Sequence, residues 1–218
     1  MNRQERRKQE RLTKKQGKKE YNMPGQLLQS WSVPVMRTSL PPDILQTMIE
    51  ISDLVIADKE SKNYGHALAG QIETELEIEF KILEQTGIMD FFLQTVRQFV
   101  IQCKCQQMPG FEQVILKEEW MIQMITMWIV SQQPNEYNPL HVHANCQISS
   151  VMYLKVPKML PQRKQDSTST IPADGSIVFI SNSSRDLDLS TPIMILPPQV
   201  GDFYIFGAQQ QHAVYPYR

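Results

Sequence analysis

Hydrophobic and polar positions along the chain separate a helical first half from a strand-rich second half. In the first half, apolar residues recur at helical spacing after Pro42 and Asp43, two residues that suit the first turn of a helix. They are Ile44, Leu45, Met48, Ile49 and Val55. The same spacing predicts a second long helix from about Thr86 to Gln106, with Ile88, Phe91, Phe92, Val96, Phe99 and Val100. We expect these helices to cover one face of a sheet.

From Phe111 onward the pattern predicts a run of strands. β-branched, aromatic and methionine residues are divided by segments rich in Pro, Asn, Asp and Ser, such as "QQPNEYNP" and "SNSSRDLDLSTP". Helical patterns do not alternate with these strands, so an antiparallel sandwich or barrel is favoured over a parallel sheet. The predicted fold class is α+β, with N-terminal helices flanking a β core.

Composition and charge divide the chain further. A length of 218 residues with 41% hydrophobic residues suits one globular domain. We predict a basic, disordered tail over 1–24, a mainly helical flank over 25–110 and the β core over 111–218. Residues 1–20 hold nine Lys or Arg and three Glu, whereas the other 198 residues hold 13 basic and 20 acidic side chains. Such a tail is typical of a solvated arm, and contact with nucleic acid is the alternative.

No targeting or membrane signal is visible in the sequence. No apolar run approaches the roughly 18 residues that a membrane-spanning helix needs, and the N-terminus has no apolar signal region. We therefore expect a cytoplasmic protein without a membrane partner. The three cysteines, Cys103, Cys105 and Cys146, form no disulfide framework and are interpreted as semi-buried thiols.

Three histidines in the β region suggest chemistry. His141 and His143 are two residues apart in "NPLHVHANC", so along an extended chain they point to the same side. His212 follows the apolar stretch "FYIFG", where a strand emerges from a turn. Histidine is the commonest protein ligand for transition metals, so these three predict a metal site. His66 lies in the helical half and is interpreted as a partly buried or capping residue.

The order of these segments resembles a known family. "HVH", the strand "ISSVMYLKVP", the strand "SIVFI" and the ending "PPQVGDFYIFGAQQQHAVYPY" are similar to the iron(II)- and 2-oxoglutarate-dependent oxygenases. The resemblance covers about residues 120–218 and is strongest to a phage and bacterial branch related to prolyl hydroxylases. It implies a double-stranded β-helix, also called a jelly roll or cupin-like fold, with Fe(II) as the metal and 2-oxoglutarate as the cosubstrate.

The resemblance also implies which residues bind the metal. His141 matches the first iron ligand of the family and His212 matches the distal one. His143 stands where most members have a carboxylate, so either it completes a three-histidine site or it lies behind the ligands and water takes the third position. Asp166, the nearest downstream carboxylate, lies in a loop too distant to be preferred.

The binding of 2-oxoglutarate is less complete in the sequence. Tyr153 resembles a tyrosine that helps to hold the cosubstrate, and an inward-facing core tyrosine is the alternative. The family usually places an Arg or Lys on the strand after the distal histidine, because the far carboxylate needs a cation. Arg218 is only six residues past His212. We therefore expect the chain to be truncated before a last core strand, with Arg218 as the alternative anchor.

The resemblance favours one function and leaves two others open. The first is a 2-oxoglutarate- and Fe(II)-dependent dioxygenase that uses dioxygen to hydroxylate a small molecule or a peptide, prolyl peptides included. The second is a jelly-roll protein that binds a metal without turnover, and the third is a phage accessory or structural protein that kept only the fold. Fold alone does not separate the three.

Overall fold

In the computed structural model, helices precede most of the strands. The structure describes residues 34–159, 173–181 and 193–218, so the predicted tail over 1–24 lies outside it. The helices are α1 (Pro42–Ala57), α2 (Phe80–Gln85), α3 (Ile88–Gln107) and α4 (Glu112–Ile115), with a 3₁₀ turn at Gly65–Ala67. The strands are β1 (Val35–Ser39), β2 (Glu75–Glu77), β3 (Trp128–Val130), β4 (Asn138–His141), β5 (Ile148–Met152), β6 (Ile177–Ile180), β7 (Ile193–Leu196), β8 (Asp202–Gly207) and β9 (His212–Val214).

Both long helices lie where the hydrophobic spacing predicts them. Helix α1 begins at Pro42 and buries Met48, Ile51 and Val55 on one face. Helix α3 begins at Ile88, directly after Gly87, whose φ of 73° is a left-handed conformation that favours glycine. Gly87 thus ends the short helix α2 and redirects the chain into α3.

The strands form antiparallel sheets, as the sequence predicts. One sheet has the order β1-β8-β5, a second has the order β4-β9-β6-β7, and β2 pairs with β3. Every pairing between these strands is antiparallel. A mixed fold of helices and antiparallel sheets is therefore confirmed.

Strand β8 lies at the centre of the packing and is buried on both faces. Phe203 and Ile205 belong to the core cluster that includes residues of α1 and α3. Tyr204 and Phe206 point the other way and pack with residues of the second sheet, among them Phe179 on β6. This alternation follows from the period of two along a strand, and it produces a layer of helices, a sheet and a second sheet.

One predicted boundary is wrong. The stretch after Phe111 was expected to be strand, but α4 lies there and β3 does not begin until Trp128. Gly110 separates α4 from α3, and its N–H donates to the Glu112 carboxylate, which favours a new helical turn. The flank predicted to be mainly helical also contains the strand β1, which pairs with β8 along its whole length.

Strands β8 and β9 each have a partner on both sides among the described residues. β8 lies between β1 and β5, and β9 lies between β4 and β6. Beyond β9, the N–H of Tyr215 donates to the Ser176 carbonyl and the Tyr217 carbonyl accepts from Asn135. A further strand beyond Arg218 stays a prediction, and neither β8 nor β9 needs it as a pairing partner.

Among the helices that the structure describes, we find none with both the length and the apolarity needed to cross a bilayer.

Candidate metal centre

The second sheet brings the three predicted histidines together. His141 ends β4 and lies directly opposite His212, which begins β9. His143 follows β4, and its backbone N–H donates to the Ala208 carbonyl just before β9. One nitrogen from each ring can be chosen so that all three lie within 4.8 Å of one another. We call His141, His143 and His212 the histidine group.

Alternation along the chain explains why His141 and His143 converge. The neighbouring Leu140 and Val142 are 53% and 43% exposed, whereas the two histidines are partly buried. Residues at i and i+2 therefore share a side even though the strand ends at His141. The centroids of the His141 and His143 rings are 5.1 Å apart, and those of His141 and His212 are 4.2 Å apart.

Hydrogen bonds to carbonyl groups set the tautomers of two of these rings. Nδ1 of His141 lies 2.7 Å from the Pro139 carbonyl oxygen, and Nδ1 of His212 lies 2.9 Å from that of Gln210. A carbonyl oxygen only accepts, so each Nδ1 carries the proton and donates. Nε2 of both rings is then left with its lone pair free, which is the arrangement that orients histidine toward a metal.

The spacing of the ring nitrogens fits a single ion. Nε2 of His143 lies 3.3 Å from Nε2 of His212. Two imidazole nitrogens that bind one transition metal at about 2.0–2.1 Å lie roughly 2.8–3.4 Å apart when the angle at the metal is about 90–110°. The pair therefore needs little rearrangement to share an ion.

Burial keeps two members of the histidine group neutral. It lowers the pKa of His143 to about 4, with a smaller contribution from His141. Burial likewise lowers the pKa of His212 to about 4, partly offset by the hydrogen bond to Gln210. A neutral imidazole is the form that binds a metal, so these two rings are ready to do so at neutral pH.

Aromatic side chains surround the histidine group. The rings of Phe206 and Phe179 lie 4.8 and 6.0 Å from that of His212, and the Trp128 ring lies 5.9 Å from that of His143. Tyr64 stacks on Trp128 at 5.5 Å. These apolar rings limit the access of water to His143 and His212.

Within the described ranges, no carboxylate completes the histidine group. Asp166, the candidate considered from sequence, lies outside them. His66, interpreted from the sequence as a partly buried or capping residue, is exposed in the last turn of the 3₁₀ helix and takes no part. The group is thus a set of three imidazoles.

Tyr153 lies close to β8, in the layer between the two sheets. Its hydroxyl is buried without a hydrogen-bond partner among the described residues, and burial raises its pKa. Its ring is 6.2 Å from that of Tyr204, whose hydroxyl donates to Asp202 at 2.9 Å. Arg37 on β1 donates to both oxygens of Asp202, also at 2.9 Å. We call Tyr153, Tyr204, Asp202 and Arg37 the tyrosine group.

Neither arginine near the site is free of an acidic partner. Arg37 is held by Asp202, and Arg218 lies 3.8 Å from the carboxylate of Asp174. Burial of a hydroxyl without a hydrogen-bond partner costs free energy. A partner for the Tyr153 hydroxyl would therefore be stabilising, and the described residues do not supply one. The sequence pointed to Tyr153, but it gave no signal for the pairing of Arg37 with Asp202, because 165 residues separate them.

Comparison with known proteins relates the C-terminal part of the chain to an enzyme family. Residues 126–218 match the family model described as "Putative 2OG-Fe(II) oxygenase". The segment contains all three histidines and Tyr153. The predicted superfamily is confirmed over these residues, and with it the predicted class of 2-oxoglutarate- and Fe(II)-dependent dioxygenase and the implied Fe(II) and 2-oxoglutarate.

Two other comparisons add less. No curated protein matches the sequence. Among solved structures, a prolyl-4-hydroxylase from Pseudomonas putida is similar, with a TM-score of 0.47 and 14% identity over 85% of this chain and 86% of that chain.

Proposed function

Since residues 126–218 match the 2OG-Fe(II) oxygenases, we propose that His141, His143 and His212 are the iron ligands of a dioxygenase that hydroxylates a C–H bond. The observation that carries the proposal is the convergence of three imidazoles, two with Nε2 freed by carbonyl bonds to Nδ1. Three protein ligands leave positions open on the metal. Iron bound there would supply the activation of dioxygen and the oxidative decarboxylation of 2-oxoglutarate.

The role of the protein is to hold the metal, to orient the cosubstrate and to shield both from water. The histidine group fixes the metal, and the rings of Phe206, Phe179 and Trp128 exclude water beside it. In this proposal the Tyr153 hydroxyl donates to the far carboxylate of the cosubstrate, which would satisfy its missing hydrogen bond. His143 acts as a ligand in this proposal, since its Nε2 lies only 3.3 Å from that of His212.

We further propose that the sheets β1-β8-β5 and β4-β9-β6-β7 are the two halves of a double-stranded β-helix. Support comes from their antiparallel pairings and from the core cluster that joins Tyr204 and Phe206 of one sheet to Phe179 of the other. Among the described strands, β5 is paired on one side only, with β8. A further strand along its other side would end close to Tyr153 and could carry the missing cation there.

The alternative, a metal-binding protein without turnover, is favoured by one observation. Arg37 and Arg218 are already paired with Asp202 and Asp174, so neither is a free cation for a dicarboxylate. Its far carboxylate would then lose water at a cost of several kcal/mol. The proposed cytoplasmic location and any nucleic-acid contact of the tail stay predictions.

One experiment tests the proposal and separates the two functions. The protein is loaded with Fe(II) without oxygen, and 2-oxoglutarate is added while the charge-transfer absorption of its iron chelate is recorded. Succinate is then measured after oxygen is admitted. We expect iron binding to fall more than about 100-fold in His212→Ala, because changes one shell further out already cost 10–100-fold.

The matched control is His66→Ala, which removes an exposed histidine outside the histidine group. It should leave iron binding unchanged. Iron binding without a chelate band or succinate would favour the alternative function. Equal iron affinity in the wild type and His212→Ala would contradict the proposed metal site itself.

A further inference from the structure

Glu75 is a buried acid that neither the histidine group nor the tyrosine group explains. It lies on β2 and is only 1% exposed. Neither carboxylate oxygen has a hydrogen-bond partner among the described residues. A buried carboxylate without a donor or a cation costs several kcal/mol, so the group requires a partner or a proton.

Two glycines lie against this carboxyl group, and each also lies beside an asparagine oxygen. A Cβ on Gly70 would lie 2.7 Å from both Oε1 of Glu75 and Oδ1 of Asn138. A Cβ on Gly65 would lie 3.1 Å from Oε2 of Glu75 and 3.2 Å from Oδ1 of Asn63. Any side chain at these positions would press on the carboxyl group. The glycines thus allow the backbone to approach a cluster of oxygen acceptors.

The charges near Glu75 are predominantly negative. Burial raises the pKa of Glu75, and the negative charge of Glu136 adds to the effect. The two oxygens of Glu136 accept from the backbone N–H groups of Glu73 and Gln133. Lys62, the basic residue on this side of β2, is paired with Glu77 instead. Acceptors and negative charge therefore meet where the described residues supply no cation.

Glu75 lies on a strand pair that holds none of the three histidines. β2 pairs with β3, so Glu75 and Glu77 lie on the same side of the ladder as Trp128 and Val130. Tyr64, whose N–H donates to the Glu75 carbonyl, stacks on Trp128. Asn63 is exposed, which gives a small ion a route to the carboxyl group from solvent.

We propose that Glu75, with Asn63 and Asn138, forms a second metal site that takes a hard cation of the calcium type. Carboxylate and amide oxygens are the ligands that such ions prefer, and water and backbone carbonyls can fill the remaining positions. A cation there satisfies both orphaned oxygens and balances Glu136. The site differs in chemistry from the three imidazoles, which suit a transition metal, and it does not rest on the proposed function.

Terbium luminescence provides the test, because Tb³⁺ replaces Ca²⁺ at oxygen sites and is excited by nearby aromatic rings. Tb³⁺ is titrated into the full chain with excitation of Trp128 and Tyr64, and Ca²⁺ is then added as a competitor. We expect a saturable emission that calcium displaces. In Glu75→Gln the affinity should fall at least about tenfold, since charge count largely sets affinity at such sites.

Glu77→Gln is the matched control, because it removes a partly exposed acid two residues away on the same strand. It should leave the terbium affinity within about twofold of the wild type. Glu75→Asp, which keeps the charge but shortens the side chain, should bind terbium more weakly than wild type and more tightly than Glu75→Gln. It serves as the test should Glu75→Gln not fold.

Thermal unfolding supplies a second readout. Calcium should raise the melting temperature of the wild type and of His212→Ala, but not that of Glu75→Gln. Two outcomes would overturn the second metal site. One is the absence of emission that calcium displaces in the wild type, and the other is an affinity in the Glu75 variants equal to that of Glu77→Gln.

Discussion

The histidine group and the tyrosine group lie in the same layer between the two sheets, yet their polar atoms are partnered differently. In the histidine group, carbonyls of Pro139 and Gln210 hold two of the rings so that the remaining nitrogens face one another. In the tyrosine group, Arg37 and Asp202 satisfy each other, while the Tyr153 hydroxyl is left over. The histidine group is arranged to bind a cation. The tyrosine group lacks an unpaired cation that could bind an anion.

This difference follows from where the residues lie along the chain. His141 and His143 are neighbours, and a single strand pairing brings His212 opposite His141. The cation expected near Tyr153 would have to come from a strand beside β5, and the described residues place none there. Within the described residues the three imidazoles are thus all present, whereas the hydrogen-bond partner of Tyr153 is not among them.

The largest effect is expected from adding such a strand. If the encoded gene continues past Arg218 with a strand that carries an Arg or Lys, the longer product should form succinate much faster than residues 1–218 alone. The reason is that a dicarboxylate in a water-poor pocket needs a charge at its far end. Succinate formation by both products checks this.

A matched variant of the longer product replaces the new Arg or Lys by Gln. It should bind iron as before but lose cosubstrate turnover. If residues 1–218 alone form succinate at the rate of the longer product, the tyrosine group is already complete and the comparison fails.

How far the sequence predicted these two groups depends on the range of the signal. The spacing of two residues between His141 and His143 is local, and alternation alone placed both on one side. The start of α1 at Pro42 is local as well. By contrast, the pairing of β1 with β8, and so of Arg37 with Asp202, depends on tertiary contacts that no short pattern encodes. Glu75 was missed for the same reason, since its burial depends on Gly65, Gly70 and Asn138.

A fall in pH should weaken the metal-free protein through the histidine group. The pKa values of His143 and His212 in the folded state, about 4, lie below the ordinary value of 6.5. The unfolded chain therefore binds protons first, and stability present above pH 6.5 is lost as the pH falls toward 4. We expect the free energy of unfolding to drop by about 2 kcal/mol, after allowance for solvent screening.

Urea unfolding of the metal-free protein at pH 7 and pH 4.5 measures this loss. The double variant His143→Gln/His212→Gln removes both titrating rings and should show a clearly smaller difference between the two pH values. An equal loss in the variant would assign the acid sensitivity to other groups and leave the burial of the two rings without consequence for stability.

A smaller effect is expected at the tyrosine group. In Tyr153→Phe, the affinity for 2-oxoglutarate in the iron-loaded longer product should fall about tenfold, because a hydrogen bond to a charged group is worth about 1.5–3 kcal/mol. The iron affinity should not change. The stability should stay equal or rise, since the hydroxyl that is lost has no partner in the protein. A fall in stability with unchanged cosubstrate affinity would make Tyr153 a core residue only.

The smallest effect is expected from Arg218→Gln. The Arg218 side chain is 37% exposed and lies 3.8 Å from Asp174, which is 22% exposed, and such pairs contribute about 0.2–1 kcal/mol. Because Asp174 already compensates its charge, we expect the affinity for 2-oxoglutarate to change less than about twofold. The chelate absorption of the iron-loaded protein measures this affinity, and urea unfolding measures the cost of the ion pair. A large loss of cosubstrate affinity with unchanged stability would instead make Arg218 the anchor, and the tyrosine group would then need no further strand.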